Sequence, residues 1–358
     1  MHRTPFTIDD ILMEVDVECN KPLIVTVSQK KKVKRKAILY RFSFFACMNI
    51  CMILAFFTSN LGGSKGLING NFVIWYFAVP LIYFEAGLCC NYRALFSVFR
   101  DGYLLSFLMI FIYVLIPIVA RIGSYLLGSA GVNSRLLKGM EVLHCLPPPF
   151  STSLVLSRIA NADIPTSVVT ILICHFGGML LSPILLYIML GATVPPLTEI
   201  NLREITYSTL IPLAIGVSLR SICFKEQQSV ASLSQVDRTK WISQVLLLLT
   251  AYNLFCDAFT IDAAALYAID ILLCVFIACL SQILMTCICW TLCSTWLSQD
   301  VLLASVFTCT YKSIGFGGWL MRTAFRNTVQ TAAVNLPLGI LTVAQLLLGS
   351  LLASWLAP

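Results

Sequence analysis

Ten stretches of this chain are apolar over about the 20 residues that a lipid-spanning helix needs. They fall near 39–59, 72–90, 103–122, 136–158, 164–191, 205–223, 241–260, 264–293, 300–322 and 332–356. A backbone in lipid must satisfy its own polar groups, so runs of this length and number predict an all-α polytopic membrane protein. Charge content agrees: 11% of the 358 residues are charged, against about 25% in a soluble domain. From Trp241 to Pro358 only seven side chains are charged, and most of these lie near the ends of apolar runs.

Residues 1–36 are a polar arm. It starts acidic, with Asp9, Asp10, Glu14, Asp16 and Glu18, and ends in Lys30, Lys31, Lys32, Lys34, Arg35 and Lys36 immediately before the first apolar run. A basic block beside a span reads as cytoplasmic and as a contact for anionic lipid. Because the block abuts a hydrophobic span, no nucleic-acid partner is expected. The loops do not set the orientation, with seven basic residues on each side when the ten spans are counted. The arm does, and ten spans then place both termini in the cytoplasm. A loop at 224–240 separates a first five-helix half, 37–223, from a second, 241–358. Five helices per half force opposite topologies, the inverted-repeat design of many transporters. Phe84-Glu85 and Phe255-Cys256-Asp257 are short echoes between the halves, but they are out of register. A plasma-membrane and an endomembrane (Golgi or ER) location both fit.

The fourth run contains Cys145-Leu146-Pro147-Pro148-Pro149-Phe150-Ser151-Thr152-Ser153. Prolines lack an amide donor and clash with the preceding turn, so three in succession break the span. Backbone that is not helical at membrane depth must be buried in protein or line a cavity. The freed carbonyls and the hydroxyls of Ser151, Thr152 and Ser153 would then face an ion or anion site. The matching place in the second half is Thr308-Cys309-Thr310-Tyr311-Lys312-Ser313, followed by Gly315, Gly317 and Gly318. Lys312 lies near the middle of the ninth run, where a charge is costly and marks function by default. Glu85 and Asp257 are candidate partners or proton carriers. Glu141, His144, His175 and Asp270 are the other ionisable residues within runs; His175 and Asp270 read as satisfied or interfacial polar groups. Trp241, Trp290, Trp296 and Trp355 stand near run ends as interfacial anchors.

Most of the 15 cysteines, such as Cys274, Cys279, Cys287, Cys289 and Cys293, lie inside apolar runs. They read as small buried side chains. No His or carboxylate accompanies them, so no metal site is expected. Without a paired-Asp motif or a Gly-x-Ser-x-Gly elbow, an intramembrane enzyme is not expected either.

Several of these segments resemble the bile acid/sodium symporter family. They are Leu136-Leu137-Lys138-Gly139-Met140, Cys145 through Ser153, Tyr252 to Phe259 (YNLFCDAF), Thr310 to Ser313 (TYKS) and Gln345 to Ser350. The resemblance spans about 72–356. It implies ten helices in two inverted repeats, a panel and a core domain, and broken, crossing fourth and ninth helices. It also implies sodium as coupling ion, held by hydroxyls, amides and a glutamate, with no other cofactor. Ser153 and Ser167 fall on hydroxyl positions of such a site. Leu154 stands where an asparagine is expected, Phe307 near the position of the glutamate, and Lys312 where bile-acid carriers have a neutral polar residue. These departures weigh against sodium coupling and suggest a fixed ammonium in place of the ion. The leading expectation is thus a secondary transporter of an organic anion or ion. The expected site comprises Ser151, Thr152, Ser153, Ser167, Thr310, Lys312, Ser313 and Asp257 around the break at Pro147, Pro148 and Pro149. One branch of the family is associated with intracellular calcium regulation, so a non-transporting regulator of calcium entry is the second expectation.

Overall fold

A computed structural model describes residues 27–63, 66, 69–191, 206–223, 230–260, 268–313 and 331–356, without side chains for 27–41, 71, 190, 223, 230–240 and 331–335. Most of the arm, residues 224–229 of the loop between halves, and the glycines after Ser313 lie outside the described residues, as do the side chains of Lys30–Lys36.

Every apolar run carries helix. In chain order these are α1 Val27–Phe57, α2 Ile74–Cys89, α3 Tyr92–Arg100, α4 Gly102–Ser129, α5 Ser134–His144 and α6 Phe150–Ile159. They continue with α7 Ile164–Leu190, α8 Ile211–Cys223, α9 Val230–Phe259, α10 Ala268–Cys293, α11 Gln299–Cys309 and α12 Thr331–Leu356. Among the described residues five helices are long and apolar enough to cross a membrane: α4, α7, the Trp241–Phe259 part of α9, α10, and the Leu336–Leu356 part of α12. The chain is therefore a multi-pass, all-helical membrane protein. The seventh run's helix starts at Val230, inside the stretch expected to be loop.

Two local rules explain most boundaries. Asn91, Asp101, Asn133 and Asp163 each cap a helix start, their side-chain oxygens accepting from the backbone N–H of Arg93, Leu104, Arg135 and Thr166; such caps satisfy donors that the first turn leaves unpaired. Gly191, in the left-handed region at φ 65°, closes α7. One element was not expected. Between the second and third runs, α3 turns 96° away from α2, and its Phe96 and Phe99 are exposed.

Helices α1, α2, α8 and α9 form one set of neighbours, with α2 lying along α8 and α1 along α9. The α2–α8 contact is backbone to backbone. A Cβ on Gly87 would stand 2.5 Å from Leu213 O, and one on Gly216 would stand 2.3 Å from Phe84 O. Without a hydrophobic drive between helices in lipid, such close approach is what lets dispersion hold them together. Helices α6, α7, α11 and α12 gather the broken spans, and α6 also reaches α2 and α9.

Candidate functional site

The fourth run is interrupted at its prolines, and the described end of the ninth run meets that interruption. The chain leaves α5 after His144, runs extended through Pro147–Pro149, and re-enters helix at Phe150. The ninth run leaves α11 after Cys309, and Thr310 to Ser313 are not helical. The Lys312 ammonium donates to Leu146 O at 3.0 Å, and the next backbone amide, Ser313 N–H, donates to Pro147 O at 2.7 Å.

The remaining carbonyls freed by the prolines are held as well. Ser182 Oγ on α7 donates to Cys145 O at 2.7 Å. His175 Nδ1, also on α7, lies 2.9 Å from Pro148 O, and its ring stacks on Phe150 at 3.7 Å between centroids. Tyr83 on α2 donates to Phe150 O at 3.3 Å. Pro147 comes this near to α7 because position 178 is glycine; a Cβ there would stand 2.6 Å from Pro147 Cβ and would also strike the Tyr113 hydroxyl. Four consecutive carbonyls, Cys145 to Pro148, thus each meet a donor. An unpartnered buried carbonyl would cost about 1–3 kcal/mol, which is why this backbone is stable away from water.

Lys312 is 2% exposed. Among the described residues no carboxylate ion-pairs with it; the two ion pairs there are Arg121–Glu141 and Arg158–Glu85. Its neighbours include the thiols of Cys145, Cys309 and Cys174. The site therefore combines an oxygen-rich break with a cation whose negative counterpart does not come from those residues.

The hydroxyls divide into two groups. Ser151, Thr152 and Ser153 are buried on the first turn of α6, and Ser153 Oγ has no hydrogen-bond partner. Thr310 Oγ1 donates to Val306 O and Ser167 Oγ to Asp163 O, each within its own chain segment. Asp257 does not come to Lys312. It stands at the end of α9, with its Oδ1 against Gly63, so the expected Lys312–Asp257 pairing is replaced by the bond to Leu146 O.

Two polar groups matter more than the sequence suggested. His175, read as an isolated polar group, holds the proline break. Arg158, the last residue of the fourth apolar run, is buried and pairs with Glu85 at 2.8 Å. Ser243 of α9 joins them, accepting from Arg158 Nη1 at 3.2 Å and donating to Glu85 Oε2. The trio fastens α2 and α9 to the end of α6. Glu141 is likewise committed, to Arg121 at 2.6 Å. Local sequence does not reveal these pairings, because they depend on tertiary contacts; Glu85 and Arg158 are 73 residues apart.

A discontinuous span whose freed backbone is met by the non-helical end of another, in a many-helix apolar bundle, fits the build of a membrane transport protein. The chain belongs to the SBF-like CPA transporter family, whose model matches residues 43–358. It is similar to sodium/bile acid cotransporter 7 of Xenopus tropicalis, 28% identical over 308 residues that cover 83% of this chain and 87% of that protein. The proteins of that name from Danio rerio and Rattus norvegicus are each 27% identical, covering 82% and 83% of this chain and 87% and 88% of their own lengths.

Proposed function

We propose that this protein is a secondary carrier of a small organic anion, built as ten spans in two inverted five-helix repeats. The solute site is the meeting of residues 145–153 with 310–313. The observation that carries this reading is Lys312, a buried ammonium bonded to Leu146 O with no carboxylate partner among the described residues. A charge at membrane depth is stable only with compensation, and an anionic solute supplies it. Ser151, Thr152 and Ser153, at the N-terminus of α6, add hydroxyls and a favourable helix dipole for the same charge. The ammonium provides the positive charge that a bound sodium ion would otherwise bring, so transport does not require sodium. Rocking of α1, α2, α8 and α9 against the helices that hold the breaks alternates access, and the Glu85–Arg158 pair parts when they separate.

The test is flux through purified protein in liposomes, using a panel of small organic anions with imposed sodium, proton and calcium gradients. The carrier reading predicts uptake of at least one anion that Lys312→Ala abolishes. No flux of any solute, unchanged by that substitution, would overturn it.

A further inference from the structure

The nine residues of α3 form three stripes along the helix. Ala94, Leu95 and Val98 are half-buried; α3 packs on α7, and Leu95 packs against the main apolar core. Tyr92, Phe96 and Phe99, at i, i+4 and i+7, make a second stripe that is 53%, 57% and 61% exposed. Arg93, Ser97 and Arg100 follow one position on and make the third, which is also exposed. Side chains at these spacings share one face of a helix. No acidic residue lies within α3. Asp101 follows it directly, but that carboxylate caps α4 by accepting from Leu104 N–H. Asp163, which caps α7, accepts likewise from Thr166 N–H.

The helix joins α2 to the membrane-crossing α4 and turns 96° from α2. Its nine residues reach about 14 Å, too short for a hydrocarbon core of about 30 Å. A path that dipped back into that core would carry one of the two arginines with it, at large cost. A helix lying flat keeps both at the surface. Each guanidinium is held at the border of the aromatic stripe. Arg93 Nε donates to the Tyr92 hydroxyl at 2.9 Å, and its guanidinium lies 5.6 Å from that ring. The Arg100 guanidinium lies 5.1 Å from the Phe96 ring. Aromatic rings and arginines occupy neighbouring levels in this way at the boundary between acyl chains and headgroups.

We propose that α3 lies in the plane of the membrane interface and docks acidic phospholipids there. Tyr92, Phe96 and Phe99 enter the acyl boundary, and Arg93 and Arg100 hold the headgroups. A guanidinium meets a phosphate with two parallel N–H donors. The apolar stripe adheres to any lipid, but the helix carries two positive charges and no acid, so charge complementarity selects acidic lipid over zwitterionic. This surface does not depend on the carrier reading above.

The experiment uses the full chain in phosphatidylcholine nanodiscs that hold a trace of photoactivatable lipid. A phosphatidylserine probe is compared with a phosphatidylcholine probe bearing the same diazirine acyl chain. The serine lipid should label residues 92–100 roughly 5- to 30-fold more than the choline lipid, the effect of one to two basic side chains beside an anionic headgroup. Arg93→Gln combined with Arg100→Gln should bring the serine lipid down to the choline lipid's level while leaving the choline lipid unchanged. Phe96→Ser combined with Phe99→Ser should lower both labels on α3. Labelling of α4 by both lipids reports that each variant is folded. Equal labelling of α3 by the two lipids in the unmutated protein overturns the proposal whatever the variants do. Absence of both labels from α3 while α4 is labelled overturns it too, and would make the aromatic stripe a surface for a protein partner.

Discussion

Lys312 and Leu146 lie 166 residues apart in sequence and are joined by a 3.0 Å bond from ammonium to carbonyl oxygen. With the adjacent Ser313–Pro147 bond, two successive residues of the ninth run satisfy two successive carbonyls of the broken fourth. A Lys312→Met variant loses that donor, at about 1–3 kcal/mol, but also sheds a buried charge whose desolvation is costly. The two effects oppose each other. The thermal midpoint in detergent should move by a few degrees only, whereas anion flux should fall tenfold or more. A collapse of stability with residual flux in proportion to folded protein would make Lys312 a strut.

The Glu85–Arg158 pair gives a different signature. Arg158→Met alone leaves a buried carboxylate without its cation, a loss of about 3–5 kcal/mol. Glu85→Leu combined with Arg158→Met removes both charges and should be close to neutral. A double-mutant cycle on thermal unfolding in detergent reads this directly; additive losses would show that the two side chains act independently.

Gly87 and Gly216 leave no room for a side chain. Gly87→Ala puts a methyl against Leu213 O and the Gly216 backbone, and overpacking of this kind costs about 1–3 kcal/mol. Spin labels on the outer faces of α2 and α8 should report a wider separation as well as lowered stability. An unchanged distance would mean that the helices do not meet through these glycines.

Hydroxyls that serve the break should differ from those that serve their own helix. Ser182→Ala orphans Cys145 O and should cost about 1–3 kcal/mol. Ser167→Ala removes a bond to Asp163 O, a carbonyl that the Ser167 amide already contacts at 3.1 Å, and should cost under about 0.5 kcal/mol. Thermal unfolding of the two variants side by side is the check, and equal losses would contradict the account of the break.

The apolar runs and the proline break were legible because each has a cause carried by a few adjacent residues: length in one case, the missing donors of Pro147–Pro149 in the other. What could not be read were pairings across the bundle. Arg158 ends the fourth apolar run with no acidic residue near it in sequence, yet α2 and α9 close over it. His175 has no polar neighbour in sequence, but α7 brings it to Pro148 O. Asp257 was joined to Lys312 on charge alone, whereas the prolines had already freed a carbonyl closer to the ammonium. The α3 helix escaped because its apolar face is shorter than a span.

The account rests on Lys312 standing as a built-in cation for an anionic solute. Anion uptake into liposomes, measured with sodium on both sides and again with sodium fully replaced by choline, tests it most directly. The account predicts equal initial rates in the two media, and loss of both in Lys312→Met. Uptake that collapses without sodium, or that survives intact in Lys312→Met, would contradict it.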